Sequence, residues 1–115
     1  MLSLSVYKHL DLYTITKKMV HACYELVQDL PERERDLSGQ KIRLAALSAY
    51  LNIIQGLTAK SKKKFFRKAK MELVVVDGLL ELYKDLNLIS PEKINDLNYL
   101  LVRCIELLKN PFSEK

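Results

Sequence analysis

The stretch that decides the fold is Ser61–Leu86, SKKKFFRKAKMELVVVDGLLELYKDL. At 100° per residue, Phe65, Phe66, Ala69, Leu73, Val76, Leu80 and Tyr83 fall within one arc of about 100°. Residues 61–86 therefore read as a long helix with one apolar face, which must be buried against other helices. Lys60, Lys63, Lys64, Arg67 and Lys70 fall on the opposite side. Leu73, Val74, Val75 and Val76 are consecutive apolar residues, so Val74 and Val75 are expected to point away from the core.

Upstream, a helix is expected over 38–56, with Ser38 as its N-cap and Gly56 as a left-handed C-terminal residue. From Ile42 to Leu57 it is apolar on nearly every side, interrupted only by Arg43, Ser48, Asn52 and Gln55. A helix of a simple monomeric bundle keeps a polar face. This one is either the most buried helix or one that also packs on another subunit. A chain of 115 residues has little room to bury a helix all round, which favours the second reading. Tyr50 and Ile54, with Val74 and Val75, are the expected contacts between subunits.

A first helix is expected over about 5–30, ended by Pro31. One stripe runs through Val6, Leu10, Tyr13, Val20, Tyr24 and Val27, and an adjacent one through Leu12, Ile15, Met19, Cys23, Leu26 and Leu30. Residues 31–37 are a solvated connection or a short helical turn. A last helix, 90–109, opens on Ser90 as N-cap with Pro91 in the first helical position and Glu92 in the first turn. Residues 111–115 read as a frayed tail. Four helices joined by short connections predict an all-α, antiparallel up-down-up-down four-helix bundle, a single domain over 1–115. With three Gly, three Pro and no Trp, the composition lacks the turn formers of a many-stranded β fold.

Charge is segregated along the chain. The net charge is +5, from 19 Lys and Arg against 14 Asp and Glu. No acid occurs between Asp36 and Glu72, while Lys41, Arg43, Lys60, Lys62, Lys63, Lys64, Arg67, Lys68 and Lys70 do. That segment carries +9 and the rest of the chain −4. Such a distribution calls for a polyanionic partner, against the simpler reading of a solvated Lys-rich turn. The start of the third helix sharpens the point. A helix N-terminus favours Asp or Glu, yet Ser61 is followed by three lysines, each unfavourable by a few tenths of a kcal/mol up to about one. A docking anion profits from both the lysines and the free amides. RNA or DNA backbone is the expected ligand, held by the seven cations from Lys60 to Lys70, with Lys41 and Arg43 as outlying contacts.

Several functions lack any sequence support. Cys23 and Cys104 sit in no CxxC pair and have no neighbouring His at ligand spacing; both read as small apolar residues in helices. His9 and His21 are twelve apart, not three or four. There is no glycine-rich phosphate loop, GxSxG or HExxH. No catalytic residue, metal or cofactor is expected. Met1–Tyr13 does not read as a signal peptide, and 42–57 is too short to span a bilayer comfortably, so a cytoplasmic, membrane-free protein is expected.

LPERERDLSGQKIRLAALSAYLNIIQG (30–56), KSKKKFFRKAKMELVVVDGLLELYKDLNLIS (60–90) and the final amphipathic helix together resemble a superfamily of small four-helix bundles. It holds the accessory variability determinant proteins of diversity-generating retroelements and the proteins encoded by intervening sequences of bacterial large-subunit rRNA genes. The likeness covers about Tyr7 to Lys109. Arg67–Leu73 looks like the basic RANxEL segment of the retroelement group, with Lys70 where that group has Asn. Ser48–Gly56 is similar to the SIPSNIAEG stretch of the intervening-sequence group, keeping Ser, Asn, Ile and Gly but not Pro and Glu. The resemblance implies a homo-oligomer, typically a five-membered ring with a basic surface. In the retroelement group it also implies a reverse transcriptase partner. It implies no catalytic residues.

Overall fold

The computed structural model describes residues 4–112. Among these the chain is helical without a strand. A 3-10 turn at Tyr7–His9 precedes α1 (Asp11–Gln28), α2 (Glu32–Asp36), α3 (Ser38–Thr58), α4 (Lys63–Asp85) and α5 (Pro91–Leu107). The long helices form a bundle in which α3 packs on α4 and α1, and α5 packs on α1 and α4.

The expected first helix is interrupted. Leu10 adopts an extended conformation (φ −81°, ψ 144°) between the 3-10 turn and α1. The break folds Tyr7 and Leu10 into a cluster with Leu12, Ile53, Leu57, Ala69 and Leu107. Tyr7 meets the Tyr13 ring edge-on at 5.2 Å. A continuous helix would carry these two side chains along its own axis, so burial overrides helical propensity here. Of the second expected stripe, Leu12, Met19, Cys23, Leu26 and Leu30 are buried; of the first, Leu10 and Val27 are buried, whereas Val6 and Tyr24 are exposed. Residues 32–36 resolve as the short helix α2, with Pro31 at its N-cap.

Both ends expected for α3 are corrected. Leu37, not Ser38, is its N-cap, and no side chain caps it. The Ser38 hydroxyl instead makes tertiary contacts, donating to Glu34 Oε1 and accepting from Tyr83 Oη at 2.7 Å. At the other end α3 runs past Gly56 to Thr58, and no glycine has a positive φ. Gly56 is required for approach: a Cβ there would lie 2.5 Å from Phe66 Cε1.

α4 begins two residues later than expected, at Lys63 with Lys62 as N-cap and no capping side chain. It ends in a Schellman arrangement: Leu88 N–H bonds to Tyr83 O, Asn87 N–H bonds to Lys84 O, and Asn87 takes the left-handed conformation (φ 55°). At α5, Ser90 Oγ accepts from the Lys93 amide, with Pro91 at the first position as expected. Of the expected tail, residues 113–115 lie outside the described residues. Phe112 is packed rather than frayed, its ring edge-on to Phe66 at 6.4 Å.

The core has two parts. The cluster around Leu57 joins the start of α1, the end of α3, the start of α4 and the end of α5. The larger cluster includes Val27, Ile42, Leu80, Tyr83, Ile89 and Ile94, drawn from the opposite portions of the same helices. These define a Leu57 end and a Tyr83 end.

Candidate nucleic-acid interface

The basic residues of 60–70 are held at the Leu57 end by the apolar face beneath them. Ala69 and Leu73 are buried, and Phe66 is half-buried against Gly56. With that face inward, Lys60, Lys63, Lys64, Arg67, Lys68 and Lys70 are all exposed. Lys62 is half-buried, its Nζ 5.0 Å from the Phe112 ring centre. Lys64 Nζ lies 5.1 Å over Phe65. Phe65 and Phe66 are only half-buried, less enclosed than a pure core reading implies. Lys68 also flanks a shallow cleft of about 190 Å³ formed with Ser48, Asn52, Met71 and Glu72.

None of these cations forms an ion pair among the described residues; the ion pair found there joins Lys93 to Asp29. The first turn of α4 contains no acid. Like charges therefore crowd together without internal compensation, a state that a bound anion relieves.

The structure does not bring all nine predicted cations together. Lys41 and Arg43 lie near the start of α3, beside Ser38 and Tyr83. At about 1.5 Å per residue, some 25 Å of helix separates Arg43 from Lys60. Sequence reasoning did not single out other cations toward the same end. Lys8 in the 3-10 turn, Lys17 and Lys18 in the first half of α1, Arg103 in the last turns of α5 and Lys109 just beyond it belong to segments on the Leu57 side. The half of the molecule on that side (residues 4–19, 48–74 and 99–112) carries twelve basic and three acidic residues. The other half, 20–47 and 75–98, carries six basic and ten acidic residues. The direction of each helix was the signal that could have found them.

The four residues expected between subunits divide. Val74 is 55% exposed. Val75, expected to point outward, is half-buried against the larger cluster, because it sits on the α4 flank that faces its neighbours. Tyr50 and Ile54 are half-buried on the side of α3 that leans on α1: Tyr50 Oη is 3.3 Å from Tyr13 Oη, and Ile54 packs on the Leu57 cluster. Burial and that hydrogen bond push the Tyr50 hydroxyl up to about 12. Outward apolar residues include Leu44, Leu47 and Leu51 on α3 and Met71, Val74 and Leu82 on α4, with Tyr24 on α1 and Tyr99 and Val102 on α5.

Other groups carry no assembled chemistry. Cys23 and Cys104 are free and buried. Burial, with Cys104 nearby, pushes the Cys23 thiol up to about 12, and burial pushes Cys104 to about 11. Both stay protonated near neutrality and are poor nucleophiles and ligands. Thr16, the buried polar residue between them and the Leu57 end, donates to Leu12 O at 2.6 Å and contacts Cys104 Sγ at 3.7 Å. Among the described residues no group of three or more His, Cys, Asp or Glu is placed to hold a metal ion. A groove of about 390 Å³ between α1 and α5 has an apolar floor of Leu26, Leu97 and Leu100 under Glu25, Asp29 and Asp96, on the acidic half of the molecule. Among the described residues no helix is long and apolar enough to cross a membrane.

A helical bundle with most of its cations toward one end and exposed apolar residues on each long helix defines a class: small all-helical bundle proteins. Within that class the chain belongs to the 23S rRNA-intervening sequence protein family, whose model matches residues 8–110. It is not a known enzyme family. The match corresponds to the intervening-sequence side of the resemblance drawn from Ser48–Gly56. Among curated proteins, none matches the chain.

Proposed function

We propose that this chain is a non-catalytic accessory protein that binds nucleic acid through the Leu57 end. In this reading it is a single antiparallel four-helix domain that associates with copies of itself, a pentameric ring being the form the resemblance favours. Lys60, Lys62, Lys63, Lys64, Arg67, Lys68 and Lys70 hold the phosphate backbone, joined by Lys17, Lys18 and Arg103. Lys41 and Arg43 belong to a separate region. The observation that carries the reading is the concentration of uncompensated cations at one end, twelve basic against three acidic residues. The family name refers to rRNA genes, an association that favours RNA as the ligand. A reverse transcriptase partner rests on the resemblance of Arg67–Leu73 to the retroelement group.

Self-association draws support from the exposed Leu44, Leu51, Met71 and Val74, which a monomer leaves in water. The binding test is a titration of structured RNA at several salt concentrations. Affinity is expected to fall steeply with salt, with a slope of about one per phosphate contact. Reversal of Lys62, Lys63, Lys64 and Arg67 to Glu should abolish most of that slope. Binding that ignores both salt and charge reversal leaves a protein-interaction scaffold as the function.

A further inference from the structure

We infer that the Phe112 ring stacks on unpaired nucleobases, so that the Leu57 end takes single-stranded nucleic acid in preference to duplex. This rests on the nucleic-acid reading above and adds the class of strand. Phe112 is 39% exposed, yet its ring is held in place. The Phe112 and Phe66 rings form a T-shaped pair, centres 6.4 Å apart and planes at 75°, and Phe66 is seated against Gly56. Lys62 Nζ lies 5.0 Å from the Phe112 ring centre, and the exposed Lys60 and Lys63 lie two residues before and one after Lys62 in the chain. An aromatic ring that packs on a second ring, stays partly open to solvent and stands beside a lysine at the basic end combines the two parts of a single-strand site. The cations follow the backbone, and the ring offers a π-face to any base. A duplex keeps its bases stacked inside and gains nothing from the ring, while the lysines serve both forms. Lys62 sits on a flexible stem, and its ammonium can exchange the ring face for a phosphate as a base moves onto that face.

The test compares a labelled oligouridylate with duplex RNA of equal length, at one salt concentration, by fluorescence anisotropy. The proteins are the unmodified chain, Phe112→Leu and Phe112→Trp. Leucine keeps apolar contact with Phe66 but has no π-face. Phe112→Leu is expected to weaken single-strand binding about tenfold and to leave duplex binding within about twofold. Circular dichroism and thermal melting check that its fold is intact. Phe112→Trp should retain single-strand affinity. The chain has no other tryptophan, so its fluorescence reports the site directly and should be quenched by the oligouridylate and not by the duplex. An unchanged strand preference in Phe112→Leu, or no quenching in Phe112→Trp, overturns the stacking inference alone. Failure of the unmodified chain to bind either RNA overturns the nucleic-acid reading and the inference with it.

Discussion

Gly56 on α3 lies against the ring of Phe66 on α4 so closely that a Cβ would meet three ring atoms at 2.5–2.8 Å. This contact joins the end of α3 to the first turns of α4, the segment that carries the lysines. Alanine is favoured over glycine inside a helix by about 1 kcal/mol. At position 56 overpacking outweighs that gain, since displacing a packed ring costs about 1–3 kcal/mol. Gly56→Ala should therefore destabilise the protein by about 1 kcal/mol in urea denaturation. Adding Phe66→Leu should remove most of the clash, visible as coupling in a double-mutant cycle.

Gly78 provides the opposite case on the same scaffold. It is exposed in α4, and nothing lies within 4 Å of a Cβ built there. Gly78→Ala should stabilise the monomer's fold by about 0.5–1 kcal/mol. If the light-scattering mass falls in the same variant, Gly78 instead serves close approach of another subunit beside Val74 and Leu82.

The Ser38–Tyr83 hydrogen bond links the start of α3 to the last turn of α4 at 2.7 Å. The Tyr83 side chain is buried, so its loss leaves a polar serine with only Glu34 as partner. Tyr83→Phe should cost about 1–2 kcal/mol by equilibrium unfolding. Tyr83→Phe with Ser38→Ala should cost less than the sum of the single changes.

Alkaline stability follows from the buried thiols. Cys23 and Cys104 titrate in the folded chain at about 12 and about 11, against an ordinary value of 9.0. Above pH 9 the unfolded chain therefore loses protons that the folded chain keeps, and stability falls as pH rises. Burial raises the Tyr83 and Tyr50 hydroxyls as well, with the same sign. Urea midpoints should drop progressively from about pH 9 to 11. The drop should be shallower in Cys23→Ala Cys104→Ala, whatever that variant's stability at pH 7.

Charge reversal distinguishes the two ends. Lys17→Glu Lys18→Glu should weaken RNA binding and reduce the salt slope by about one to two. Lys41→Glu Arg43→Glu should change the slope by less than about half a unit. Equal effects from the two pairs would mean that net charge, not its placement at the Leu57 end, governs binding.

The helices were legible in the sequence because apolar spacing at 3.6 residues reports burial directly. The Ser90-Pro91-Glu92 start was equally clear, since capping depends on neighbours a few residues away. Gly56 and Ser38 misled for the same reason in reverse. Each matches a local helix-end signal, yet each is held in place by a partner far along the chain, Phe66 and Tyr83.

By itself, then, the sequence determined the helical class, the main buried stripe of α4 and the run of cations from Lys60 to Lys70. All are set by interactions within a few turns of one helix. Only the tertiary structure decided which charges share a surface. It put Lys41 and Arg43 at the other end of α3 from that run, placed Lys17, Lys18 and Arg103 in the same half of the bundle as the run, and set Phe112 beside Lys62. Neighbours across a bundle depend on the direction and packing of whole helices, and electrostatic fields sum over distance in space rather than distance along the chain.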